Sequence, residues 1–391
     1  MVIGNAYRLS PIAYPLYNRP MPERISPPVW VDTNAAFEAL AADLQSRPRI
    51  AVDTESNSLY AYREQVCLVQ FSTPETDYLV DPLAPIDLGS LAPIFAEPRI
   101  EKIFHAAEYD LICLRRDFGF SFANVFDTMQ AERILGYEKV GLDAALEKYF
   151  GVAVNKRYQK ADWGARPLAR DLLEYARFDT HYLIPLRDQL KAELEAQGRW
   201  RLANEDFRRA CRLNGDRPEP AEVAWERLAS RRDLNLRELT ILRELTVVRN
   251  QIAEKLDRPP FKVVGDEKLI AIARAAPTTK KELADLGLGE RQLSRWGAQI
   301  LSAVGRGAES PLVKRKPAQR PDEAVLRRLE ALKAWRKKVA GQLGVESDII
   351  LPRPYLLSLA ERGGSDLKAI LGSSSSRLEQ YGAQILEVLG G

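Results

Sequence analysis

The chain reads as an α/β domain followed by two small all-α domains. Two observations carry that reading. Apolar, strand-like runs alternate with helical periodicity as far as about residue 205, and beyond that point strand patterns vanish. In the helical half, RWGAQILSAVG at 295–305 recurs as QYGAQILEVLG at 380–390, so one small helical module occurs twice.

Residues 1–28 are rich in Pro and Tyr without a clear period and are expected to form an extended arm against the first domain. The α/β domain is assigned to residues 29–205. RIAVDTES is an apolar run ending in carboxylates, the pattern of a central strand. VCLVQFS and DYLVDP are short strands bounded by turn residues. DLGSLAPIFAEP predicts a helix, EKIFHA a strand, and EYDLICLRRDFG a helix capped by Gly119. NVFDT is a short strand. From TMQAERILG onward the period is helical, through LDAALEKYFG and the long run LARDLLEYARFDTHYLIPLRDQLKAELEAQG. NGDRPEP marks a linker. The first helical module is placed at 221–307, a basic linker at 308–320 and the second module at 321–391. LRELTVVRNQIAEKL and LEALKAWRKKVAGQL share their apolar spacing and begin the two copies.

Composition bounds the chemistry. The 391 residues suit two to three domains. No apolar run approaches the roughly 18 residues of a membrane span. The N-terminus lacks the basic start and apolar core of a signal peptide, so a cytoplasmic protein is expected. Three cysteines (Cys67, Cys113 and Cys211) lack metal-ligand spacing and read as buried free thiols. With only His105 and His181, zinc chemistry and a histidine-centred triad are disfavoured, and any metal site must use oxygen ligands, which favours Mg²⁺ or Mn²⁺. Residues 221–391 carry 30 Lys+Arg against 22 Asp+Glu, whereas residues 1–220 carry 27 against 32. An acidic half would hold cations and a basic half phosphates.

The acids supply the sharper signal. Asp53 and Glu55, two apart on a strand, face the same way. They would repel unless a cation sits between them, although an exposed strand end also favours acids. Tyr175 and Asp179, four apart on a helix, share one face; a solvated acid beside a core-facing Tyr is the bland alternative. Asp110 falls near a helix start, where it also complements the helix dipole. His181 lies about 200° around the helix from Asp179 and faces away from the acids. His105 is expected to be structural.

In this order and context the residues resemble the ribonuclease D type of 3′–5′ exonuclease in the DEDD superfamily, tyrosine subclass. The resemblance covers about residues 29–205. It rests on Asp53-Thr54-Glu55, on His105 through Asp110, and on Tyr175 with Asp179. ADWGARPL (containing Asp162, Trp163, Arg166 and Pro167) and Asp127 of VFDT also match. The modules resemble helicase-and-RNase-D C-terminal (HRDC) domains. One departure is Ser56, where members often carry an aromatic residue.

The resemblance implies an RNase H-like mixed-sheet domain that releases nucleoside 5′-monophosphates from RNA 3′ ends. It implies two divalent ions, Mg²⁺ or Mn²⁺, about 3.5–4 Å apart. Asp53 would bridge both, Glu55 and Asp179 would help hold the first, and Asp110 would support the second. Tyr175 would orient the attacking water, since a phenol of pKa about 10 is a poor base at neutral pH. Thr54, Arg166, Lys314, Arg315, Lys316, Lys337 and Lys338 are candidate nucleic-acid contacts; Trp163 is either such a contact or a packed core residue. Arg306 and Arg320 extend the basic linker, and Lys333 and Arg336 the basic helix face. Trp296 and Tyr381, equivalent in the repeat, read as core rather than as base-stacking platforms. The expected partner is RNA with an accessible 3′ end, such as tRNA precursors or other structured small RNA, with no stable protein partner and no membrane. The open alternatives are a 3′–5′ DNA exonuclease and a catalytically silent nucleic-acid-binding protein.

Overall fold

The computed structural model describes residues 26–154, 156–212, 224–229, 233–314 and 322–390. Nearly all of the N-terminal arm and much of the basic linker, including Arg315, Lys316 and Arg320, lie outside the described residues.

Six strands form one mixed sheet: β1 (Val29–Val31), β2 (Arg49–Ser56), β3 (Val66–Ser72), β4 (Asp77–Val80), β5 (Glu101–Phe104) and β6 (Val125–Asp127). Their order is β1-β4-β3-β2-β5-β6. The β2–β3 and β3–β4 pairs are antiparallel, and β1–β4, β2–β5 and β5–β6 are parallel. RIAVDTES is therefore an interior strand, as its apolar run requires.

Strand alternation sends β2 side chains into two cores. Ile50 and Val52 join Phe71, Phe95, Leu111 and Leu114 on one face. Ala51 joins Ile103, Phe126, Leu186 and Phe207 on the other. Asp53 and Glu55 follow Ala51 at period two, so they emerge on that second face, at the C-terminal end of the strand.

The helical expectations need three corrections. The segment 87–98 forms a 3₁₀ turn, Leu88–Leu91, and a short helix, Ala92–Ala96, with Pro93 in its first turn. The long run after residue 169 splits into Arg170–His181 and Leu183–Ala196 around Tyr182. Pro185 supplies the reason, since it has no N–H to donate to the carbonyl of His181. The α/β packing also continues past residue 205. The helix Trp200–Ala210 covers β6, with the Phe207 ring 4.7 Å from that of Phe126, and Cys211 packs on the first core. All three cysteines are free, with Cys67 and Cys113 buried.

Both modules repeat one five-helix plan. In the first it runs Leu236–Lys255, Pro260–Val263, Asp266–Ala275, Lys280–Asp285 and Glu290–Glu309. In the second it runs Glu323–Leu343, Ser347–Ile350, Arg353–Arg362, Leu367–Leu371 and Ser376–Leu389. The same brace recurs in each: Arg249 donates to the carbonyl of Val264, and Arg336 to that of Leu351. Arg336 is thereby turned inward, a correction to its place on the basic helix face with Lys333, Lys337 and Lys338. Trp296 packs at the edge of the first module's core, and Tyr381 is buried in that of the second.

The modules meet the α/β domain differently. Arg377 of the second is completely buried between Glu205 (2.7 Å) and Asp206 (2.9 Å) of the helix Trp200–Ala210. The first touches the loop after β2. The Tyr62 N–H donates to Asp257, Arg63 pairs with Glu254 at the surface, and Lys262 lies 4.2 Å from the Tyr60 ring centre.

Candidate active site

A pocket of about 480 Å³ opens at the C-terminal end of β2. Asp53, Glu55, Asp110, Tyr175 and Asp179 all line it, so residues 126 positions apart in the chain meet there. Ligand oxygens of Asp53, Glu55 and Asp179 lie within 4.8 Å of one another.

Buried polar contacts hold the third acid in place. The helix Arg170–His181 is clamped to β3 and β4 by Arg177 on Asp77 (2.8 Å) and by the Thr180 and Ser72 hydroxyls (2.7 Å apart). His181 also pairs with Asp77, at 2.9 Å, and so faces away from the acids. Burial alone would raise the Asp77 pKa, but hydrogen bonds from His181, Ser72 and Arg177 outweigh it and hold that carboxyl below its usual range. With the helix fixed, Tyr175 and Asp179 project one turn apart into the pocket. The Tyr175 ring stacks on Trp163, with centres 6.3 Å apart, and its hydroxyl is hydrogen-bonded to Gln159.

Asp110 arrives from the opposite face of the sheet. It sits in the first turn of the helix Glu108–Phe118 and is 5% exposed. Thr54 alternates away from Asp53 and Glu55, and its hydroxyl donates to the Asp110 carboxylate at 2.5 Å. The turn before that helix is held by Asp127, whose carboxylate accepts the N–H groups of Ala106 (3.0 Å), Ala107 (2.9 Å) and Gln130 (3.1 Å). Ala106 has φ 64°, a left-handed conformation costly for a residue with a Cβ. His105 is hydrogen-bonded to Thr128 (2.9 Å) and to the backbone of Val140, and burial pushes its pKa down to about 4, so it is neutral.

Charge in the pocket is unbalanced. Burial, then the charges of Asp110, Asp179 and Glu55, push the Asp53 carboxyl well above the carboxylate range. Burial and the charges of Asp179 and Asp110 do the same to Glu55. Asp110 rises to about 7 chiefly through burial, and Asp179 to about 7 through burial and the charge of Asp110. No Lys or Arg among the described residues lines the pocket. An all-oxygen donor set of converging, mutually repelling carboxylates fits a hard divalent cation. Asp53, Glu55 and Asp179 are placed to hold one, with Asp110 beside them.

The nucleic-acid candidates fare differently. Thr54 lines the pocket but spends its hydroxyl on Asp110. Arg166 is corrected to a structural residue, because all its N–H donors are used within the protein. Nε and Nη2 bond Asp81, Nη2 also reaches the Cys67 carbonyl, and Nη1 reaches the Trp163 and Ala165 carbonyls. Trp163 is 1% exposed and belongs to the core. Lys314, Lys337 and Lys338 are exposed, and none of them lines the pocket. Arg306 is paired with Glu244. Sequence reasoning missed Tyr109, whose 48% exposed ring lines the pocket with its hydroxyl 3.3 Å from that of Ser56. The signal was a large aromatic between two acids at a helix start. Ser56, noted above as a departure, is this ring's partner.

The 3′–5′ exonuclease domain family matches residues 28–195, and the HRDC domain family matches 238–304 and 325–389. A ribonuclease D from Nitrobacter hamburgensis is 31% identical over 88% of this chain and 91% of its own length. The exosome complex exonuclease RRP6 of Saccharomyces cerevisiae is 32% identical over 72% of this chain, which spans only 41% of that longer protein. The crystal structure of Escherichia coli RNase D, described as an exoribonuclease involved in structured RNA processing, superposes with a TM-score of 0.70 at 26% identity, covering 93% of this chain and 99% of that one. Domain order, site and near full-length similarity together place this chain in the ribonuclease D family.

Proposed function

We propose that this protein is a 3′–5′ exoribonuclease that removes nucleoside 5′-monophosphates from RNA 3′ ends. The observation that carries the reading is the convergence of Asp53, Glu55 and Asp179 within 4.8 Å, with Tyr175 and Asp110 lining the same pocket. The names and described roles of the relatives support RNA over DNA as substrate. Intact acids weigh against a silent binding protein.

Asp53, Glu55 and Asp179 would hold divalent ions, two in number and either Mg²⁺ or Mn²⁺, with Asp110 supporting the second. Bound there, the ions would lower the pKa of a water molecule and neutralise charge on the scissile phosphate. Tyr175 acts as a hydrogen-bonding guide. Burial and the charges of Asp179, Glu55 and Asp53 push its hydroxyl well above pKa 10, so it keeps its proton at neutral pH and orients water rather than deprotonating it. His105 takes no part in proton transfer, being neutral and tied on both sides. The exposed Tyr109 ring offers a surface for the terminal base. Structured small RNA such as tRNA precursors is the proposed substrate. Lys314, Arg315, Lys316, Lys337 and Lys338 are proposed to steer its backbone, with the salt sensitivity that phosphate contacts bring.

The test uses 5′-labelled RNA with a single-stranded 3′ tail, matched DNA, Mg²⁺ or Mn²⁺, and EDTA. A metal-dependent ladder shortening from the 3′ end is expected on RNA. Asp53→Asn should abolish it, whereas Tyr175→Phe should retain measurable activity. Equal and complete loss in both variants would refute the role given to Tyr175; binding without cleavage of either polymer would refute the enzyme.

A further inference from the structure

Gln70 is a buried polar residue that the site leaves without a partner. It lies in the middle of β3 and is 0% exposed. Neither its amide nitrogen nor its amide oxygen has a hydrogen-bond partner. A primary amide sealed from water with no partner is disfavoured in a folded interior and calls for a reason.

Its register supplies one. Gln70 stands directly opposite Asp53 on β2 and opposite Leu79 on β4. Directly opposed residues point to the same face of a sheet, with Cβ atoms about 4.5–5.5 Å apart. That face lies under the helix Arg170–His181. Two positions before Gln70, Leu68 packs in one apolar cluster with Leu79 and Ala176. Two positions after it, Ser72 is bonded to Thr180 and Asp77, so that hydroxyl is engaged. The Gln70 amide thus has apolar Leu68 and the already engaged Ser72 hydroxyl along the strand, apolar Leu79 across on β4, and a metal-site carboxylate on its remaining side. Asp179, next to Thr180 on the helix above, closes the same corner with Asp53.

We propose that Gln70 is a positioning residue for Asp53, its amide N–H donating to that carboxylate in the cation-loaded protein and fixing which oxygen faces the pocket. The proposal rests on the reading of the acids as a cation site. The terminal torsion of a glutamine is soft, so the amide turns toward Asp53 without backbone movement. Carboxylates that hold metals are themselves held by such outer hydrogen bonds, and loss of one weakens metal binding by about 10–100-fold.

The experiment measures Mn²⁺ binding to the full chain by calorimetry without RNA, alongside metal-free melting temperature and steady-state kinetics. It compares wild type with Asp53→Asn and with Gln70→Met, which keeps length and removes both polar atoms of the amide. Gln70→Leu repeats the comparison with a different side-chain shape. Each Gln70 variant is expected to bind Mn²⁺ about 10-fold more weakly, with lower kcat, unchanged KM for RNA and a metal-free melting temperature equal to or above that of wild type. Unchanged Mn²⁺ affinity in a folded Gln70 variant overturns the proposal, as does an affinity loss that appears only with a lowered metal-free melting temperature. Failure of the underlying cation site looks different: wild type and Asp53→Asn would then bind Mn²⁺ alike.

Discussion

At the residue scale the site is a set of carboxylates held closer than charge allows. Their pKa values are raised, to about 7 for Asp110 and Asp179, so the folded metal-free protein binds protons more tightly than the unfolded chain. A raised carboxyl pKa costs nothing below about pH 4, where both states are protonated. The cost grows as pH rises and is complete once pH passes the folded value near 7. Metal-free protein is therefore expected to melt at a progressively lower temperature from pH 5 to pH 8, relative to Asp179→Asn. Mg²⁺ should raise the melting temperature more at pH 8 than at pH 6, because at pH 8 it has fewer protons to displace. A Mg²⁺ effect of equal size at both pH values would contradict this account. The pairs Asp53 with Glu55 and Tyr175 with Asp179 are legible in the chain because strand and helix periods put each on one face. The Thr54–Asp110 bond is not legible, because it joins a strand to a helix 56 positions further along the chain, on the face opposite Asp53 and Glu55.

At the element scale the helix Arg170–His181 matters most, since it carries both Tyr175 and Asp179. Its position depends on the Arg177–Asp77 pair, whose side chains are 3% and 5% exposed. Removing one partner of such a pair strands a buried charge and costs ~3–5 kcal/mol. Asp77→Ala is expected to destabilise the α/β domain by about that amount in denaturant unfolding. It should also reduce kcat by loosening the helix, although Asp77 is not in the pocket. Wild-type stability would make the clamp incidental. The two ends of this helix were not equally legible. Its period is plain in the sequence, but its stop at His181 depends on Pro185, which lies inside what reads as one continuous run. The three-residue β1 was missed altogether, because so short a strand exists only through its pairing with β4, which lies about fifty positions away along the chain.

At the scale of the whole molecule, the second HRDC module behaves as part of the α/β body. Arg377 donates to Glu205 and Asp206 and to the carbonyls of Ile349 and Ile350 from complete burial. Ile349 joins the core of the α/β domain, and Arg133 reaches across to Asp348 at 2.7 Å. Close backbone approach completes the seam. A Cβ on Gly136, which also caps its helix at φ 87°, would stand 2.4 Å from the Gly344 carbonyl oxygen. Arg377→Met is expected to leave buried Asp206 with only the longer contact to Arg209, at 3.4 Å, as its charge partner and to separate unfolding of the second module from that of the α/β domain. Calorimetry would then record an added low-temperature transition, with cleavage of short single-stranded RNA retained. A single unshifted transition would mean that the seam does not depend on this residue. The first module, meeting the loop after β2 through exposed pairs, has no comparable buried clasp among the described residues. No described helix is long and apolar enough to cross a membrane.

By itself the sequence determined the alternation of strands and helices and the repeated modules, because each is a local pattern set by a period of two, a period near 3.6, or an identity; it singled out the acids of the candidate site only through their family resemblance. Tertiary structure decided which polar residues face substrate and which face inward. Arg166 and Arg336 read as free cations in the chain, yet each donates to carbonyls that only folding brings within reach. Gln70 reads as a neutral strand residue and becomes a candidate for positioning Asp53 only once register sets the two side by side. The difference is physical. Periodicity acts between neighbours in the chain, whereas hydrogen-bond satisfaction and burial depend on groups brought together from far apart.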